Sequence, residues 1–252
     1  MRPRWLAGHL LALVLIVLFT TLGAWQLRRL DARTAHNELV AARAAAEPVD
    51  LTTAIQEWQR TGEFPEYMLV RFSGTFVPAA EVLLRGRSLE GQPGFNLLTP
   101  VLLDDPDPSL GGTAVFVERG WVPYDHDAVP VADAPPPPGT VAVVGRLRAP
   151  TSAPGGLAPR DPAAGVLVQA YYVDIDRLQE QVPYPLVPAY VTATALVPQQ
   201  TGALPRPLPA ADLTSGPHLG YAIQWFAFAL VGVVGYAILL RKVRRDSAAE
   251  TP

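Results

Sequence analysis

Two uncharged apolar runs stand at opposite ends of the chain, Trp5 to Leu27 between Arg4 and Arg28, and Leu219 to Leu240 between His218 and Arg241. At about 1.5 Å per helical residue, 22 or 23 residues reach roughly 33 Å, slightly more than the ~30 Å hydrocarbon core of a bilayer. Each run therefore predicts a membrane-spanning helix with little tilt. Beyond the first, the alanine-rich stretch Leu30 to Ala46 predicts a continuation of the helix until Pro48 stops it. Asp50 then offers a cap to a second helix over Leu51 to Arg60, in which Leu51, Ile55 and Trp58 recur at helical spacing.

From there the period switches to two. Tyr67 to Phe76, Glu81 to Arg85, Gly94 to Leu103, Thr113 to Val122, Thr140 to Leu147, Val166 to Ile175 and Ala189 to Val197 read as strands, punctuated by Gly and Pro as hairpin connections require. Pro135 to Pro138 predicts a stiff loop, and the proline-rich stretch Pro198 to Pro217 an extended tether back to the membrane. The expected fold class is a membrane protein with two transmembrane helices flanking a mainly antiparallel β (α+β) extracytoplasmic domain, barrel-like or a curved sheet, with the Leu51 helix packed on it. Its divisions are a cytoplasmic N-terminus (1–4), a span (5–27), juxtamembrane helices (28–60), the β domain (61–197), the tether (198–217), a second span (218–240) and a cytoplasmic tail (241–252).

Charge sets the orientation. Arg2 and Arg4 precede the first span, and Arg241, Lys242, Arg244 and Arg245 follow the second; the positive-inside rule places both ends in the cytoplasm of a multi-pass protein of the cell membrane. Arg28, Arg29 and Arg33 oppose this, but they begin a loop of about 190 residues, long enough to translocate largely regardless of charge. A cleaved signal peptide would share the Arg2 and Arg4 n-region and the small residues Gly23 and Ala24; an apolar core this long, ending in Trp25, favours a span. With 252 residues, net charge −3 and no cysteine, the chain has room for one modest domain and no disulfide, thiolate metal site or cysteine nucleophile. The near-exclusive use of Arg over Lys, with abundant Ala and Pro, fits a GC-rich bacterial genome.

The chemistry-bearing residues concentrate at one depth. In an antiparallel hairpin of spans, the end of the first (Trp25, Gln26, Arg28, Arg29) meets the start of the second, where His218, Tyr221, Trp225 and Phe228 fall near one helical face. An imidazole above aromatic rings suits a haem: His218 as axial metal ligand, rings against the macrocycle, and arginines for the propionates. The same residues equally suit an interfacial aromatic belt with a histidine as polar cap. Gln26 and Gln224 lie inside apolar runs and are expected to face protein, each other or a partner, rather than lipid.

Other candidates rank lower. His9, about 27 Å from the level of Leu27, is too distant to share a ligand with His218. His36 reads as a solvated residue on the helix extension, and Asp125-His126-Asp127 as a solvated turn more readily than a metal site or the centre of a membrane-anchored hydrolase. Arg119 reads as a structural ion pair before a propionate contact, with Gly120 at a tight backbone position and Trp121 packed under it. Phosphate loops, dinucleotide fingerprints, nucleophile elbows and basic nucleic-acid patches are absent from the sequence, so no enzyme is expected and no catalytic residue is assigned.

Six segments in order carry a resemblance: GAWQLRRL at Gly23 to Leu30, Gly74 to Phe76, GFNLLTP at Gly94 to Pro100, VFVERGWVP at Val115 to Pro123, VVGRLRAP at Val143 to Pro150, and HLGYAIQWFAFA at His218 to Ala229. Together they resemble the Surfeit locus protein one (Shy) family. The tetraproline loop and proline-rich tether have no counterpart in that pattern. The resemblance implies a two-span chaperone assisting assembly of haem-copper cytochrome c oxidase in the respiratory chain. It also implies transient binding of haem a, with His218 matching the family's proposed ligand and transfer to the catalytic subunit. Implied partners are the oxidase subunits, above all the haem-bearing catalytic subunit, or a respiratory supercomplex, with membrane lipid and haem a synthase beside them. The alternative is a structural accessory subunit that stays on the mature oxidase and binds no haem. Copper delivery is disfavoured by the missing cysteines.

Overall fold

The computed structural model describes residues 3–104 and 110–249; Arg2, one of the charges that bear on orientation, lies outside them. The chain falls into two units, Met1–Ala41 with Asp212–Pro252, and Ala42–Ala211.

In the first unit the apolar runs form long helices, α1 (Pro3–Ala45, running on into the second unit) and a terminal helix (His218–Ala249). They pair antiparallel: Phe19 stacks on Trp225 with ring centroids 5.7 Å apart, and a Cβ added at Gly23 would lie 2.8 Å from the Phe226 ring. A larger residue at position 23 would have to displace that ring. Further along, His9 meets the Tyr236 hydroxyl, so this imidazole, remote from His218, has a partner of its own. Gln26 and Gln224 do not face each other: Gln26 bonds His218, and Gln224 is exposed on the helix pair.

The second unit takes in the last residues of α1, which ends shortly before Pro48, a residue that disfavours helical conformation in the one ahead of it. After the two-residue strand β1 (Val49–Asp50) comes α2 (Leu51–Thr61), which buries Leu51, Ala54 and Ile55. Asp50 occupies the N-cap position, yet its carboxylate makes no capping bond; it accepts from Arg71 at 2.9 Å, because the exposed guanidinium across the β1 pairing outcompetes the helix amides.

The strands that follow are β2 (Leu69–Phe76), β3 (Val82–Leu89), β4 (Gln92–Leu103), β5 (Ala114–Pro123), β6 (Thr140–Arg148), β7 (Gln169–Ala170) and β8 (Leu186–Val197). Their order is β1-β2-β6-β8-β5-β4-β3-β7, and a further β2–β4 pairing closes β2, β6, β8, β5 and β4 into a barrel. Closure removes sheet edges that would otherwise seek partners. The sheet is mainly antiparallel, as expected, with parallel pairings only of β1 on β2, β7 on β3 and β8 on β5 among the described residues.

Val70, Val101, Val115, Val117, Val143, Leu147 and Val191 fill the interior together with Leu51 and Ile55 from α2. A second apolar layer on the outer face combines Leu84, Leu98 and Phe116 with Leu167, Val173, Ile175 and Leu178. It corrects the expectation of a strand over Val166 to Ile175. Only Gln169–Ala170 pairs there, and Ile175–Gln179 forms the short helix α3, because the Asp174 carboxylate accepts from the Arg177 amide and caps a turn that buries Ile175 and Leu178.

The tether also differs from expectation. Rather than running free, it adds a backbone bridge to β5, Trp121 N to Arg206 O and Arg206 N to Trp121 O, both 2.8 Å. Gly120 permits this: at φ +155°, a Cβ there would lie 2.6 Å from the Arg206 carbonyl oxygen.

Candidate functional site

Helical phase carries α1 past the apolar run so that Arg29, Ala32, Arg33 and His36 share one side, at i, i+3, i+4 and i+7. Opposite them the segment Asp212–Gly216 leads into the terminal helix and His218. A shallow cavity of about 390 Å³ lies between, lined by Arg29, Arg33, His36, Asp212 and His218. Side chains of α1 fasten the returning segment by its backbone: Asn37 Nδ2 donates to the carbonyls of Leu213 (2.6 Å) and Thr214 (3.2 Å), and Arg33 to those of Asp212 (3.2 Å) and Thr214 (3.3 Å). Hydrogen bonds from Thr214 hold the Asp212 carboxyl below its ordinary range, and Arg33 adds attraction. Asp212 is thus an anion at neutral pH, offsetting one of the two arginines and leaving the cavity wall basic.

His218 is half-buried, and its Nδ1 lies 2.9 Å from Gln26 Oε1. With the amide oxygen as acceptor, Nδ1 is the donor of this bond, and in the neutral ring the lone pair then lies on Nε2. Gln26 thus fixes the orientation of the His218 ring, and its place inside an apolar run is the sequence signal for the contact.

The structure brings together only part of the set expected from sequence. His218 and Arg29 line the same cavity. Arg28 is exposed and does not line it, nor do Trp25, 51 % exposed, or Tyr221, 49 % exposed. Trp225 is committed to Phe19 and to Phe228. Arg33 and His36 join the site without having been expected there. His36 is exposed on the helix extension, as expected, and also lines the cavity; its helical register with Arg29 is the signal that marks it.

The remaining candidates are structural. Arg119 is fully buried and donates to Glu81 (2.6 Å), to Thr99 (2.8 Å) and to the Ala134 carbonyl (3.0 Å), the ion pair expected of it. Asp125 to Asp127 sit at a turn with exposed carboxylates, as expected; within it the half-buried His126 ring has its nitrogens 2.9 Å from Asp125 and 3.3 Å from Asp133. Among the described residues no group of three or more His, Asp or Glu side chains is arranged to hold a metal ion.

The SURF1 family model matches residues 13–230. An uncharacterised SURF1-like protein of Mycobacterium tuberculosis is 30% identical over the whole of this chain and 90% of its own. The cytochrome oxidase assembly protein SHY1 of Saccharomyces cerevisiae is 32% identical over 40% of this chain and 24% of its own. A SURF1-like protein of Dictyostelium discoideum is 26% identical over 50% of this chain and 47% of its own. With that extent of match, and with the matching segments building both the helix pair and the barrel, the chain belongs to the SURF1 family.

Proposed function

We propose that this chain is a membrane-anchored assembly factor for haem-copper cytochrome c oxidase, which receives haem a at His218 and passes it to the catalytic subunit. The observation that carries the reading is the His218–Gln26 pair beside the basic cavity: an oriented imidazole with a free lone pair, next to guanidinium groups suited to carboxylates. Family membership, and the yeast relative's being a cytochrome oxidase assembly protein, support the oxidase as the process served.

Both long helices cross the cell membrane in this reading. They are long and apolar enough to do so, and their outward faces expose Leu10, Leu11, Leu13, Val17, Leu230 and Val231, a surface that water would not tolerate at this extent. The N-terminus and the Arg241 to Arg245 cluster then face the cytoplasm, and the β domain lies on the other side, with the cavity at the membrane surface.

The residues bind, orient and release; no bond in the haem is made or broken. Arg29 and Arg33, rather than Arg28, meet the propionates. A cavity of about 390 Å³ is near the lower end for small-ligand sites, and His218, Arg29 and Arg33 are the residues that would hold the haem there. Absorption spectra of the purified full-length chain titrated with haem a test this. His218→Ala abolishes the histidine-ligated spectrum, and Gln26→Leu weakens binding by roughly 10- to 100-fold while keeping the spectral type, as loss of a positioning partner does. An unchanged spectrum and affinity in His218→Ala defeats the ligand assignment.

A further inference from the structure

Strand alternation assigns one face of β6, β8 and β5 to the barrel interior, through Leu147, Val191 and Val117, and should give the opposite face to solvent. Where Arg146 pairs with Thr192 and Thr192 with Glu118, and where Arg148 pairs with Tyr190, that opposite face is polar and yet closed off. Glu118 is 7 % exposed, Thr192 8 %, Asn96 8 % and Tyr190 5 %. The returning segment at Leu208 to Ala211 and the end of β3 at Arg87 and Ser88 flank a half-open cavity of about 310 Å³ over these groups, a volume within the range of small-ligand sites.

The charges inside do not close on themselves. Both oxygens of Glu118 already accept hydrogen bonds, from Asn96 Nδ2 at 2.8 Å and from the Thr192 hydroxyl at 2.7 Å. Arg148 is engaged by Glu66 at 2.9 Å and stacks over the Tyr67 ring. Arg87 and Arg146 are left, and each carries a buried Nε–H with no acceptor among the described residues. A buried donor on a cation without an acceptor is costly, so both half-buried side chains favour an acceptor in the cavity beside them. Three of the segments singled out in the sequence supply this wall: Asn96 comes from GFNLLTP, Glu118 from VFVERGWVP, and Arg146 and Arg148 from VVGRLRAP.

We infer that this cavity is a second binding site, for the phosphate or carboxylate group of a small anion, held by Arg87 and Arg146 with Ser88 as an additional donor. The guanidinium fork fits either oxyanion. The site belongs wholly to the β domain and stands or falls separately from the reading of His218.

Calorimetric titration of the full-length chain in detergent, with inorganic phosphate in one arm and succinate in the other, tests it. At least one anion binds at about 1 mM or tighter, and the tighter of the two identifies the class. Arg87→Gln and Arg146→Gln each weaken that binding by roughly tenfold or more, whereas Arg60→Gln, which removes an exposed guanidinium paired with Glu57 on α2, leaves it unchanged. Should the glutamine variants fail to fold, Arg87→Lys and Arg146→Lys keep the charge but lose the fork, and a drop in affinity in both gives the same answer. Failure of both anions to bind the wild-type chain, or equal affinity in wild type and the Arg87 and Arg146 variants, overturns the proposal.

Discussion

Glu81→Gln destabilises the β domain by about 3–5 kcal/mol, because it leaves the Arg119 guanidinium buried without its counter-charge. Both side chains are almost wholly out of solvent, Arg119 at 0 % and Glu81 at 1 % exposure. The β-bulge in the β4–β5 pairing puts them there: Leu97 faces Gly120 and Leu98 faces Glu118, so Arg119 has no residue opposite it. The carboxylate of Glu81 also accepts from the Thr99 hydroxyl at 2.6 Å and the Val131 amide at 3.0 Å, which ties the 123–140 loop to the sheet. Desolvation lowers the Arg119 pKa from its ordinary value and the Glu81 charge works against that shift, so removing Glu81 removes the attraction that keeps the cation favourable there. Replacing both residues by methionine should recover part of the loss, since it removes the uncompensated charge but leaves the Val131 amide and Thr99 hydroxyl without their acceptor. Denaturant unfolding of the full-length protein, followed by amide exchange in β4 and β5, measures both changes. A cost below about 1 kcal/mol for Glu81→Gln contradicts the assignment.

Trp121→Ala costs a similar amount, about 3–5 kcal/mol, as truncation of a buried large aromatic does. Trp121 is 2 % exposed and lies against Gly94 on β4, and Arg206 stacks over its ring at 5.7 Å. The consequence is local as well as global. Among the described residues, the two backbone hydrogen bonds between Trp121 and Arg206 are what pairs the returning segment with the sheet, so loss of the ring beneath them frees that segment. Amide exchange at Arg206 rises ahead of exchange in β5 itself. If instead Arg206 and the interior of β5 lose protection together and to the same extent, the strap is not an independently held element.

Much of the architecture is legible in the sequence because it follows from periodicity. The apolar runs mark the two long helices, and matching their ends in an antiparallel hairpin brings Gln26 and His218 to one depth, where the structure joins them by a hydrogen bond. Period-two segments mark most of the strands. Closure of the barrel is not legible: the β2–β4 pairing and the parallel seating of β8 on β5 are long-range backbone pairings that leave no mark in local pattern. The apolar stretch before Ile175 conceals α3, since a short buried run reads as strand or helix alike and only the Asp174 cap decides. Docking of the tether is hidden for a related reason, being made by the main chain of Arg206. At the site, Arg33 and His36 lie beyond the apolar run, where hydropathy no longer marks a helical face, although the phase set by Arg29 continues through them.

Supply of haem a to the oxidase is the step on which the proposed function rests. It is read out by the haem a content, per copper, of cytochrome c oxidase purified from cells lacking the gene and from cells carrying His218→Ala. Oxidase depleted of haem a with copper retained is the expected outcome in both strains. A full complement of haem a with a normal turnover rate in the deletion strain would overturn that function.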